Sequence, residues 1–99
     1  KDEERVFFVQ LDKKELEEKA DILKAISHPV RLCIVRGLLN EGESNVTNMQ
    51  NCLDAPQSTI SQHLAKLKAA GIIEGERKGT EIFYKVVNEE VKKIIKAIF

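Results

Sequence analysis

The run Pro56-Gln57-Ser58-Thr59-Ile60-Ser61-Gln62-His63-Leu64-Ala65-Lys66-Leu67, continuing into Ala70-Gly71-Ile72-Ile73, brings hydroxyls and carboxamides together at helical spacing. At 3.6 residues per turn Ile60, Leu64 and Leu67 fall on one side, and Ser58, Gln62, Ala65 and Ala69 fall opposite. The outward face is small and uncharged. Its hydroxyls and carboxamides are groups that exchange hydrogen bonds with base edges and phosphates, and the alanines beside them let a helix backbone approach a surface closely. The pattern predicts a helix that enters a groove of double-stranded DNA, with Gln57, Ser58, Thr59, Ser61, Gln62 and Lys66 at the contact. A competing use exists for two of them, because Thr59-x-x-Gln62 can close a helix start as a capping box.

Other reactive side chains read more plainly. Ser61 and His63 are two apart on a helix and point in different directions, so they do not form a nucleophile and base, and no enzyme is predicted. His63 borders the apolar stripe and is expected to be structural, and His28, before Pro29, is expected to cap or pack. Cys33 and Cys52 lack metal-type spacing and are too few for a disulfide scaffold. Both are expected to be small apolar fillers. A redox use remains open as an alternative, in which oxidation of Cys33 or Cys52 switches a regulator.

Ninety-nine residues, 42% apolar and 32% charged, describe one ordinary globular domain. A domain this small is expected to associate, here as a homodimer. No apolar run is long enough to span a membrane and no secretory signal is recognisable, so the expected location is cytoplasmic. The 16 basic and 16 acidic residues cancel. They are weakly segregated: residues 56–80 hold four basic against two acidic groups, a net of +2, whereas the first twenty hold five against seven, a net of −2. Affinity for DNA regardless of sequence is therefore expected to be modest and easily screened by salt. The balanced charge also supports a third reading, a protein-interaction module without DNA binding.

The elements that must position the polar face can be read from caps and breaks. Residues 1–11, with the apolar cluster Val6-Phe7-Phe8-Val9, are expected to pack on the dimer, and residues 12–99 to form the domain. A helix from about Asp12 to Ile26, capped by Asp12, carries Leu16, Ala20 and Leu23 on one stripe. Ser27-His28-Pro29 interrupts it, and Pro29 starts a central helix to about Asn40. Gly42 ends that helix; Ser44 or Asn45 caps a short third one carrying Val46, Met49 and Leu53. Asp54-Ala55-Pro56 is the turn, and the fourth helix runs from about Gln57 to Ala70 and stops at Gly71. Helix, short turn and helix describe a helix-turn-helix. Ile72 to Val87 reads as a hairpin with Arg77-Lys78-Gly79 at its tip. A last helix from Glu89 to Phe99, capped by Asn88, aligns Val91, Ile94, Ile95 and Ile98. With Leu16 and Leu23, these four are the expected dimer contacts. The fold expected is mainly α with a small β-hairpin wing, in the order α-α-α-α-β-β-α.

Ile26-Ser27-His28-Pro29-Val30-Arg31-Leu32, the run Gln57 to Leu64 and the hairpin ending in Phe83-Tyr84, taken in this order, resemble the ArsR/SmtB family of dimeric winged helix-turn-helix repressors. The resemblance covers nearly all of Ala20 to Phe99. It implies repression by a homodimer occupying a pseudo-palindromic promoter site. It also implies that the wing lies beside the duplex, where Arg77, Lys78 and Thr80 touch the DNA backbone, with Thr47, Asn48 and Lys68 as further backbone contacts. Metal sensors of the family carry ligands at the start of the third helix or on the last helix. Here Asn45 and Thr47 stand at the first place, Asn88 and Glu90 at the second, and no histidine follows. No metal and no cofactor are expected, and no residue specifies an effector.

Overall fold

Capping chemistry sets the helix starts. In the computed structural model, which describes residues 11–99 apart from the side chain of Cys52, the carboxylate of Asp12 accepts from the Lys14 N–H at 2.9 Å and opens α1 (Lys13–Ile26). The apolar cluster Val6 to Val9 lies outside the described residues. His28 caps α2 (Pro29–Glu41), its Nδ1 accepting from the Val30 N–H at 3.1 Å, with Pro29 in the first turn, where its missing N–H leaves no bond unmade.

After Gly42 the chain runs as a two-residue strand, β1 (Ser44–Asn45), before Asn45 caps α3 (Val46–Leu53) by accepting from the Asn48 N–H at 2.9 Å. Asp54 ends α3 in the left-handed region at φ 49°. The helix-turn-helix closes with α4 (Gln57–Ala69). Gly71, at φ +74°, terminates α4 in a Schellman arrangement: its N–H reaches the Lys68 carbonyl at 3.0 Å and the Ile72 N–H reaches that of Leu67, also at 3.0 Å. Leu67 and Ile72 are both fully buried, so this terminator also points the chain back into the core.

The hairpin β2 (Ile73–Lys78) and β3 (Glu81–Val86) turns at Gly79-Thr80, with Lys78 paired to Glu81. A positive φ on the first turn residue alone, Gly79 at +66°, matches a type II′ turn. Arg77 and Lys78 therefore belong to the strand, not to the tip where the sequence put them. The sheet is three-stranded and antiparallel, in the order β1-β3-β2, with Ser44 opposite Tyr84 and Asn45 opposite Phe83. The fold is the expected helical domain with a wing, plus one strand that the sequence did not announce. Last comes α5 (Glu89–Ile98), where Asn88 accepts from the Val91 N–H at 3.0 Å.

The core gathers Ile34, Val35 and Leu38 of α2, Met49 of α3, Ile60, Leu64 and Leu67 of α4, and Ile72, Ile73 and Val86 around the sheet. Val91 and Ile95 join it, at 0% and 3% exposure. This corrects their expected place at a dimer contact, because the stripe of α5 turns inward onto the core of its own chain. Ile94 is half-buried against the same core, whereas Leu16 (50%), Leu23 (51%) and Ile98 (59%) remain open.

Candidate nucleic-acid interface

Helix α4 has the two faces its spacing predicted. Ile60, Leu64 and Leu67 are buried, and Gln57, Ser58, Ser61, Gln62, Ala65 and Lys66 are exposed; Thr59 is half-buried. The cap of α4 is Pro56, which supplies no side-chain hydrogen bond, so Thr59-x-x-Gln62 does not form a capping box. Thr59 sits inside the first turn, too late to cap it. The opening N–H groups of the helix are left without a side-chain acceptor, at the end where the helix dipole favours an anion.

The start of α3, the start of α4 and the wing enclose an open groove of about 320 Å³. Thr47, Gln57, Ser61 and Thr80 all line it, so four of the residues selected from sequence converge there. Asn45, Ile82 and Tyr84 line it too and were missed. Strand alternation could have pointed to Ile82 and Tyr84, which share a face of β3, while Phe83 takes the other. Other expected contacts lie elsewhere. Asn48 faces a small, mostly apolar cleft between α2 and α3, with Cys33, Gly37, Leu38 and Met49. Lys66 and Lys68 stand in the last turn of α4, at the far end from the groove.

The two basic residues of the wing differ. Arg77 pairs across the hairpin with Ile82, so it shares the face that carries Ile82 and Tyr84, and it is exposed. Lys78 points the other way: its Nζ sits 2.9 Å from Glu43 and 5.2 Å from the centre of the Phe83 ring. The hydrogen bond to Glu43 raises the pKa of Lys78. On the groove side, the Asn45 amide donates to Oε1 of Glu81 at 2.9 Å.

Behind α4, Arg31 of α2 donates from Nη1 toward Nδ1 of His63 at 3.1 Å and from Nε to the Ala25 carbonyl at the end of α1. The rings of His28 and His63 are 4.5 Å apart. Burial, then the neighbouring His28, Arg31 and Lys66, push the pKa of His63 down. Both histidines thus have structural partners. Cys33 is exposed, which corrects its expected role as a buried filler; α2 turns it outward beside the small cleft. Among the described residues no three His, Cys, Asp or Glu side chains gather in a way that would hold a metal ion, and no helix is long and apolar enough to cross a membrane.

Residues 26–76 match the helix-turn-helix domain family. The chain is similar to the transcriptional repressor PagR of Bacillus anthracis, at 42% identity over 83 residues that cover 84% of this chain and 83% of PagR. It is also similar to the HTH-type transcriptional repressor SmtB of Mycobacterium tuberculosis, at 38% identity over 80 residues that cover 81% of this chain and 58% of SmtB. The crystal structure of PagR overlays on this fold with a TM-score of 0.81 at 40% identity, covering 89% of this chain and 100% of the PagR chain. The helix-turn-helix with its hairpin wing, the domain match and these relatives agree: the chain belongs to the ArsR/SmtB family of winged helix-turn-helix transcriptional repressors.

Proposed function

We propose that the protein acts as a homodimer that recognises a pseudo-palindromic promoter site and represses transcription by occupying it. The observation that carries this reading is the division of α4 into a wholly buried apolar face, Ile60, Leu64 and Leu67, and an exposed face of Gln57, Ser58, Ser61 and Gln62. The buried face fixes the rod; the exposed one has the donors and acceptors that base edges require. In a dimer, two such helices enter successive major grooves about 34 to 36 Å apart. The uncapped start of α4 and Thr47 then meet phosphates, and Arg77 reaches the backbone from the wing.

The dimer would form through α1, whose Leu16 and Leu23 are open, together with Ile98 of α5. Repression is supported by PagR and SmtB, both named as repressors. The test is selection of duplexes from a random pool by the purified protein, followed by gel shift and by sedimentation of the complex. Enrichment of an inverted repeat bound by two chains is expected. Recovery of no preferred duplex would overturn the reading and leave a winged helix used for protein contact.

A further inference from the structure

Arg31, His28 and His63 are joined in a way that only one protonation state permits. A guanidinium donates and never accepts, so the 3.1 Å contact from Arg31 Nη1 requires Nδ1 of His63 to carry a lone pair. Nδ1 of His28 accepts from the Val30 N–H at 3.1 Å, so it too must be unprotonated. The two rings lie 4.5 Å apart, close enough that two imidazolium charges would repel. The charged groups bearing on His63 are His28 and Arg31 from the α2 side and Lys66 on α4 itself; from α1 comes only the Ala25 carbonyl, through Arg31. None of them is a carboxylate that would compensate a proton. Arg31 therefore joins the end of α1 to the start of α2 in any state, but reaches the middle of α4 only while the His63 imidazole is neutral.

We propose that Arg31 and His63, with the His28 ring packed beside them, form a proton-sensitive clasp that positions α4, so that acidification loosens the helix and lowers discrimination between DNA sequences. These are positioning residues. A proton on His63 turns its acceptor into a donor facing Arg31, so the bond that holds α4 to α2 is replaced by a contact between like charges. The depressed pKa of His63 agrees with a neutral ring at neutral pH. The consequence for DNA rests on the DNA-binding reading above; the clasp itself does not. Loss of positioning is distinguishable from simple electrostatics, because added positive charge alone strengthens binding to every duplex.

The experiment uses the full chain, a duplex selected from a random pool at pH 7.5 and a scrambled control. The affinity ratio of the two is measured at pH 7.5 and 5.5, beside hydrogen exchange of α4 amides corrected for intrinsic rate, with α5 amides as internal control. In the wild type the ratio should fall severalfold, and protection of α4 should fall with it. His28→Asn/His63→Gln, which keeps a cap and an acceptor that do not titrate, should show neither change. His63→Gln alone, should the double variant not fold, should remove most of both. Protection of α4 that does not respond to pH in the wild type, or that responds equally in the variants, overturns the clasp. Protection that responds as expected while no duplex is selected upholds the clasp and removes the DNA-binding reading instead.

Discussion

Asn45 and Glu81 are joined at 2.9 Å, amide Nδ2 to carboxylate Oε1, while the other atom of the same amide, Oδ1, accepts from the Asn48 N–H at 2.9 Å. One side chain thus caps α3 and holds the wing. The hydrogen-bonded pairing of β1 with β3 runs through the same residue, opposite Phe83. Asn45 therefore links the wing to the helix-turn-helix, beside the pairing of Ser44 with Tyr84 and the contact of Lys78 with Glu43.

Replacing Asn45 separates the two roles. Asn45→Ala should lower stability by about 1 kcal/mol through loss of the cap, seen as a shifted urea midpoint with an unchanged slope. Asn45→Asp keeps an acceptor for the Asn48 N–H but sets a carboxylate against Glu81, so stability should fall less while the wing loosens. Equal hydrogen exchange in the hairpin for the Asn45→Asp variant and the wild type would show that the wing is held by other contacts.

Gly75 and Gly37 should respond oppositely to the same change. A Cβ on Gly75 would lie 2.8 Å from Cγ2 of Ile82 and 3.0 Å from Cε1 of Tyr84, the residue paired with it across the hairpin. Gly75→Ala must displace a β-branched methyl and a ring, and should destabilise by about 1 to 3 kcal/mol. Gly37 lies inside α2 with nothing within 4 Å of its Cβ position. Gly37→Ala should stabilise by about 1 kcal/mol through helix propensity. Thermal unfolding of the two variants gives the signs directly, and a destabilised Gly37→Ala would mean that the cleft beside it must stay open.

Much of this arrangement is legible in the chain because the determinants are local. Asp12, His28-Pro29, Asn88 and Gly71 mark helix ends through bonds to neighbours a few residues away, and the stripe Ile60, Leu64, Leu67 survives burial unchanged. What cannot be read depends on distant partners. Ser44-Asn45 is too short to alternate, and becomes a strand only because β3 offers it an edge. That Arg77 takes the groove face and Lys78 the opposite one follows from the turn falling at Gly79-Thr80, because a one-residue shift of register would invert every side chain. Val91 and Ile95 belong to an apolar stripe that would look the same whether it met its own core or a partner. Tyr84 enters the groove because Gly75 leaves room for it, a relationship between strands and not within one.

On the proposed docking against DNA, that register makes the two basic residues of the wing unequal. Arg77→Ala should weaken binding to all duplexes alike and reduce the salt slope by about one. Lys78→Ala should do less, since its ammonium is already shared with Glu43 at 2.9 Å. Gln62→Ala should cost about 1 to 3 kcal/mol on the selected duplex, relaxing preference at one base position. Isotherms on selected and scrambled duplexes at several salt concentrations separate these cases. A uniform loss for Gln62→Ala would remove it from base reading.

Stability should fall in two stages as pH drops. The pKa of His63 is depressed from 6.5, chiefly by burial and then by His28, Arg31 and Lys66. The unfolded chain takes up that proton first, so the contribution is complete above pH 6.5 and is lost as pH falls from there through the depressed value. The pKa of Glu89 is lowered from 4.5, first by its hydrogen bond with Lys92. Its contribution is present above pH 4.5 and lost below, and is small because the carboxylate is exposed. Thermal midpoints from about pH 8 to 3 should lose the first stage in His63→Gln and part of the second in Lys92→Ala. A first stage that persists in His63→Gln would assign it to another group.

Exposure separates the residues of α1 and α5 that can meet a second subunit from those that cannot. Leu16 and Leu23 stand about half open on the outer stripe of α1, where substitution touches little of the subunit's own core. Leu16→Glu/Leu23→Glu should therefore leave the helical signal and unfolding midpoint nearly unchanged while shifting sedimentation from dimer to monomer. Binding to an inverted repeat should drop with it, since one α4 then reaches one half-site. Val91→Glu places its charge where exposure is 0%, in the subunit's own core, and should unfold the chain instead of dissociating it. A double variant of α1 that remains dimeric at micromolar concentration would move the contact elsewhere, with Ile98 the next residue to change.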